Sequence, residues 1–233
     1  MTPRRPCSTF VLAFGIGCAA FAAGCSDNGN GPNGPTATLQ VIHSVTSVAA
    51  VDVLVAGQTA LSGVPYGETR SAAVPAGSHD VVIRPAGTGV SEGGATVSFV
   101  AGGTVSMLTV DSSSIINPWV LTDTGSVVPS DKSKLRVVHF AASEPVLDIL
   151  RTQPDWQTPI GVMFPFNYQA ASAYLQSDPG TWEVFVSSWS GGVPVLSDTL
   201  LATGPIEVPA GESRTVVILD GESGGLQHEV ITP

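Results

Sequence analysis

The chain has 233 residues, a formal net charge of −10 at neutral pH and charged side chains at only 12% of its positions. Lysine occurs only at Lys132 and Lys134. No basic stripe is therefore available to neutralise phosphates, which excludes nucleic acid as a partner and argues against electrostatic docking on anionic lipid heads. Val, Ser, Thr, Gly and Ala stand where charge is usual, the palette of a β protein working outside the cytoplasm.

Arg4 and Arg5 precede an uncharged apolar run from Phe10 to Ala23. This is the layout of a secretory signal, and the run is shorter than the roughly 20 residues that a spanning helix needs. It ends Ala22-Ala23-Gly24-Cys25. Small side chains before a cysteine are the lipobox pattern, in which the thiol takes a diacylglyceryl group. Residues 1–24 are thus expected to be a lipoprotein signal peptide and Cys25 the lipidation site. With two or three palmitate-type chains, each methylene adding about 0.8 kcal/mol of membrane affinity, attachment would be permanent. Cys7 and Cys18 lie within the signal, so the mature chain has no second thiol for a disulfide. Residues 25–36 comprise this cysteine and a Gly/Pro/Asn segment with nothing to bury, a flexible tether of roughly 18 Å reach.

From Leu39 onward the hydrophobic period is two. Leu39, Val41 and His43 alternate with Gln40, Ile42 and Ser44, and Val51, Val53 and Val55 alternate with Asp52 and Leu54. Gly/Pro turns such as Pro75-Ala76-Gly77 and Ala101-Gly102-Gly103 recur every 8–12 residues or so, the spacing of a β-sandwich. The pattern also repeats. Leu39-Gln-Val-Ile-His43 returns as Leu135-Arg-Val-Val-His139, and Val51-Asp52-Val53-Leu54 as Leu147-Asp148-Ile149-Leu150. Val64-Pro65-Tyr66 is matched to Phe164-Pro165-Phe166, Gly77–Val81 to Gly180–Val184, and Ala101-Gly102 with Asp111 to Ala210-Gly211 with Asp220. The expected fold is all-β: two tandem antiparallel β-sandwiches, immunoglobulin-like or transthyretin-like, over 37–130 and 131–233.

A strand ending in His, then Φ-Asp-Φ, a Val-Pro-Tyr-Gly turn, a Pro-Ala-Gly turn and an Ala-Gly turn before the closing strand resemble the DUF4397 family. That is a bacterial envelope domain of uncharacterised function, often in tandem and on lipoproteins. The resemblance implies a β-sandwich and an envelope setting, and no activity. The second copy departs from it at Phe164-Pro165-Phe166-Asn167 and in Arg151–Thr158.

Candidates for chemistry are sparse. A His–Asp pair, His43 with Asp52 or His139 with Asp148, can orient a general base or begin a metal site. An inward His at a strand end more simply bonds a loop carbonyl. His79 and His228 complete a set with no metal-ligand spacing, and no nucleophile elbow is present. Asp111 and Asp220 end matching strands and read as turn caps. Trp156, Phe164, Phe166, Tyr168 and Tyr174 read as core, with a sugar-stacking platform as the alternative. No catalytic residue, metal or cofactor is expected. The reading is a monomeric, non-enzymatic binding, scaffolding or adhesion module, tied to the membrane through Cys25 and engaging an envelope protein or polysaccharide. The alternatives are a carbohydrate-binding module or an envelope hydrolase, the latter needing two carboxyl groups roughly 5–10 Å apart.

Overall fold

The computed structural model describes residues 34–88, 93–112, 115–121, 127–153, 160–189, 191 and 198–232. Residues 1–33, with Cys25 and nearly all of the tether, lie outside that set, as does Trp156. The chain is all-β. Its strands are β1 (Thr36–Ile42), β2 (Ala50–Val55), β3 (Gln58–Pro65), β4 (Thr69–Pro75), β5 (Gly77–Pro85), β6 (Gly93–Phe99), β7 (Thr104–Ser112) and β8 (Ile115–Leu121) in the first half. The second half has β9 (Ser133–Phe140), β10 (Val146–Thr152), β11 (Ile160–Asn167), β12 (Ala170–Ala171), β13 (Leu175–Ser177), β14 (Gly180–Ser188), β15 (Thr199–Ala202), β16 (Ile206–Val208), β17 (Ser213–Asp220) and β18 (Leu226–Ile231). No helix among the described residues is long and apolar enough to cross a membrane.

The first half folds into two four-stranded sheets, ordered β4-β1-β7-β8 and β3-β2-β5-β6. The second half repeats this order as β12-β9-β17-β18, with β13 also on β9, and β11-β10-β14-β15, with β16 also on β14. Pairing is antiparallel except at one seam in each half, where β1 runs parallel to β7 and β9 parallel to β17. The turn into each of these later strands uses a left-handed glycine, Gly102 (φ 72°) or Gly211 (φ 77°). Each donates its N–H to the residue at or just before the start of β1 or β9, Thr36 or Lys132, at 2.8 Å. A Cβ would strain that conformation, which fixes the Ala-Gly motif physically.

Each half has its own core between its two sheets. Leu39, Val41, Val53, Ile83, Phe99 and Met107 fill the first. Leu135, Leu147, Ile149, Phe166, Trp182 and Ile218 fill the second. Period-two alternation accounts for both, since every second residue of a strand faces the opposing sheet.

A third core lies between the halves. It consists of Ile42, Leu108, Val110 and Leu121 from the first half and Val138, Phe140, Val217, Leu219 and Ile231 from the second. These side chains point away from their own half's core, so the outer faces of β4-β1-β7-β8 and β12-β9-β17-β18 pack on each other. The registers β1↔β7 and β9↔β17, with β7↔β8 and β17↔β18, make Ile42 equivalent to Val138, Leu108 to Val217, Val110 to Leu219 and Leu121 to Ile231. The interface is therefore pseudo-symmetric, the same patch of each half meeting the other. Burying each such side chain stabilises by about 1.5–3 kcal/mol relative to exposure, so the two halves are held by more than their linker.

Candidate functional site

His43 and His139 end the inward face of β1 and β9 and are fully buried. In each case Nε2 donates to a carbonyl five residues on, Val48 or Glu144, at 2.8 Å. In each case Nδ1 accepts the backbone N–H two residues on, from Val45 or Ala141. The neutral imidazole thus closes the loop between the first two strands of each half. In the first half Thr109 Oγ1 also lies 3.0 Å from His43 Nδ1 and accepts the Ser44 N–H at 2.8 Å. Ile218 occupies the corresponding position beside His139. Burial lowers both histidine pKa values against the partial opposition of the carbonyl bond, that of His139 to about 4.

Asp52 is not the partner of His43. It lies on the outward face of β2, where two residues of β3, Ser62 and Gly63, oppose it in a β-bulge. Its Oδ1 accepts the Gly63 N–H at 2.9 Å and the Ser62 hydroxyl at 3.1 Å, and Arg84 Nε lies 3.6 Å from Oδ2. Burial alone would raise its pKa. The bonds from Gly63, Ser62 and Gly87 and the Arg84 charge overcome that and hold it below the usual carboxylate range. The Φ-Asp-Φ motif is therefore a bulge clamp: the extra residue of the bulge has no ladder partner, and the carboxylate supplies one. Asp148 also faces a bulge, at Phe164 and Pro165, but Pro165 stands where Gly63 does and has no N–H to donate.

That bulge corrects one match made on sequence. The β10–β11 register makes Phe166 equivalent to Val64, and hence Tyr168, not Phe166, equivalent to Tyr66. The hydrogen bonds agree. Tyr66 and Tyr168 donate N–H to Ala49 and Pro145, and the next residues, Gly67 and Gln169, to His43 and His139. Gln169 adopts φ 59° where Gly67 has 75°. Each tyrosine ring stands edge-on to its histidine, at 5.8 Å and 6.0 Å with interplanar angles of 80° and 79°.

Asp220 caps the loop that follows β9, not its own hairpin. Asp220 accepts the N–H groups of Ala142 and Ser143 and the Ser143 hydroxyl, all in the loop after β9. Asp111 accepts the hydroxyl of the equivalent Ser47 at 3.5 Å. The aromatic candidates separate. Phe166 is in the second core, Tyr168 packs on His139 and Phe140, and Arg136 sits 4.4 Å over the Tyr174 ring, leaving Phe164 exposed.

One cleft draws on both halves. It encloses about 540 Å³ and is lined by Thr46, Ala49 and Tyr66 from the first half and by Ser143, Asp220, Glu222 and the glycines of 221–225 from the second. Tyr66 crosses the junction: its hydroxyl donates to the Asp220 carbonyl at 2.7 Å. Burial, with the Asp220 and Glu222 charges next, pushes its phenol up to about 12. Sequence reasoning missed this cleft, since Tyr66 and Asp220 are 154 residues apart. The pseudo-symmetric environment of Tyr168 is filled instead. Phe140 lies against Tyr168, and Trp119 against Phe140 at 4.9 Å. By register, Ser44 and Glu229 stand where Phe140 and Trp119 do on that side. The same framework thus carries aromatic packing on one side and an open, acidic, hydroxyl-lined cleft on the other. Among the described residues no group of His, Cys, Asp and Glu is placed to hold a metal ion.

Among solved structures, a family 26 carbohydrate-binding module of Eubacterium rectale Amy13K in complex with maltoheptaose is 12% identical, covering 84% of this chain and 97% of that one at a TM-score of 0.28. The tip fimbrial protein Mfa3 of Porphyromonas gingivalis is 10% identical, covering 85% of this chain and 100% of that one at 0.24. The Bacillus anthracis TIE protein is 10% identical at 0.25, covering 85% of this chain, which spans 44% of that protein's length. Among curated proteins none matches. Residues 37–150 match the family described as a domain of unknown function, DUF4397. The matched stretch runs from β1 into β10, and it contains the His43 loop closure, the Asp52 bulge clamp and the Tyr66 turn.

Proposed function

We propose that this protein is a lipid-anchored component of the cell envelope whose two halves act as one rigid, non-catalytic binding or scaffolding module. The halves are then two tandem copies of one domain, 37–130 and 131–233, and the cleft between them is the binding surface. In an organism with two membranes the anchor would lie in the outer one. The observation that carries the reading is the way the reactive side chains are used. His43 and His139 close loops and Asp52 and Asp220 cap backbone N–H groups, while the cleft is lined by polar side chains of both halves, Thr46 and Tyr66 from the first and Ser143 and Glu222 from the second.

The test has two arms. Replacing Cys25 by Ala should move the protein from the membrane fraction to the soluble fraction, and mass spectrometry of the native N-terminal peptide should show acyl chains; an unmodified Cys25 thiol overturns the anchor. For binding, the soluble 37–233 fragment and its Ala49→Trp variant, which fills the cleft, are compared on a glycan array and in capture from envelope extract. Binding lost in the variant supports the cleft, and equal binding by both sinks it.

A further inference from the structure

The third core has a property that neither separate core has. Eight of its nine residues form four equivalent pairs, Ile42/Val138, Leu108/Val217, Val110/Leu219 and Leu121/Ile231. A patch that meets its own equivalent is self-complementary, which is how a two-fold dimer is built. Here both patches lie on one chain and are joined by residues 122–132, between the end of β8 and the start of β9. A short connection of this kind holds the second patch at an effective concentration on the order of millimolar. The closed monomer is therefore selected by the linker, and the surface itself does not distinguish the chain's own second half from another chain's.

We propose that this interface is exchangeable, and that a second copy of this chain is the partner it fits. In the exchanged form the first half of one chain docks on the second half of its neighbour, and reciprocally. The same nine side chains are buried, so the exchanged dimer and two closed monomers differ mainly in linker conformation and in the entropy of association. Crowding of chains favours the dimer by mass action. Where the chains are confined to a membrane surface, a point that rests on the anchor proposed above, exchange would link neighbouring molecules and serve the scaffolding role directly. The cleft would be rebuilt in each dimer from Tyr66 of one chain and Asp220 of the other.

The experiment uses two otherwise identical soluble chains with different affinity tags and needs no lipid. They are mixed, taken through a series of urea concentrations that open the interface, returned to buffer, and captured sequentially on both tags. Emission of Trp119, read with Trp156, Trp182 and Trp189 replaced by Phe in both tagged chains, reports closure of the Trp119–Phe140 contact. The expected result is a dual-tagged dimer that forms only after opening, and whose ratio to monomer falls in proportion when the refolding mixture is diluted about a hundredfold. Phe140→Ala, which weakens this core and its contact with Tyr168, should move the urea concentration needed for exchange downward. Should that variant fail to fold, Val110→Ala takes its place. Refolded chains with restored emission and no dual-tagged species overturn the proposal. So does a dual-tagged species whose formation both substitutions leave unchanged, because association would then use another surface.

Discussion

Trp119 of β8 lies against Phe140 of β9 with ring centroids 4.9 Å apart, and this contact ties a strand of the first half to a strand of the second. Phe140 is 1% exposed although it points away from its own half's core. Removing its ring leaves a void between two sheets that cannot collapse independently. Phe140→Ala should therefore destabilise by about 3–5 kcal/mol, read from urea unfolding followed by circular dichroism. The Trp119 emission should shift to the red in the native state. An unchanged midpoint would show that the halves do not share a core.

The loop-closing histidines make stability fall with acid. His139 has a folded pKa of about 4 against an ordinary value of 6.5, because its buried ring resists protonation. Between those values the unfolded chain binds a proton that the folded chain does not, so stability is full above about pH 6.5 and declines as pH falls toward 4. The whole span is worth on the order of 3 kcal/mol for His139, and His43 and His228 shift in the same direction. Urea midpoints measured from pH 7.5 down to pH 4 should show this slope, and His139→Gln should flatten it. The same slope in that variant would assign it elsewhere.

Thr109 tests the closure in the first half by itself. Its hydroxyl oxygen accepts the Ser44 N–H and lies at hydrogen-bond distance from His43 Nδ1, so Thr109→Val keeps the shape and strands a buried N–H. A loss of about 1–3 kcal/mol is expected. A control at the equivalent Ile218, Ile218→Val, should cost only about 0.5–1.5 kcal/mol as a pure packing change.

Tyr66 can be read without unfolding anything. Its phenol ionises near 12, held up by burial and by the Asp220 and Glu222 charges. An ultraviolet titration of the three tyrosines should contain a component near that value, and Tyr66→Phe should remove it. The same variant loses the bond to the Asp220 carbonyl and about 1 kcal/mol of stability.

Asp52→Ala should loosen the bulge in β3 and cost about 1–3 kcal/mol, because the Gly63 N–H keeps its burial and loses its acceptor. Faster amide exchange confined to Ser62 and Gly63 would identify the cause. Asp52 acts in the same direction as His139 but lower in pH: its depressed pKa stabilises above the ordinary carboxylate value, and that contribution disappears as pH falls through the folded value.

The strands and turns were legible because alternation and glycine geometry are local. Leu39, Val41 and His43 do face inward, and the Ala-Gly turns at 101–102 and 210–211 do precede the strands they were matched to. The interface was legible only in a signal that alternation obscures. Arg136-Val-Val-His-Phe140 and Thr215-Val-Val-Ile-Leu219 are buried without a break, as befits strands covered on both faces. Tyr168 was missed as the counterpart of Tyr66 because Pro165 aligned with Pro65 by identity, whereas the bulge shifts the true register by two residues. Gln169 at a left-handed φ further disguised the turn that Gly67 makes openly. The cleft could not be read at all, since four loops from both halves meet there only after the third core has formed.

The placement of β1 also has a mechanical meaning. It is the first strand among the described residues, beginning at Thr36, and it is hydrogen-bonded to β4 on one side and β7 on the other. A pull on the chain ahead of Thr36, directed along the strand, loads these two ladders in shear and all their bonds together, instead of peeling them open one at a time. Resistance to such a load is set by the rate of forced unfolding and not by equilibrium stability. The strand nearest the N-terminal segment is thus loaded in shear on both of its edges when that segment is pulled.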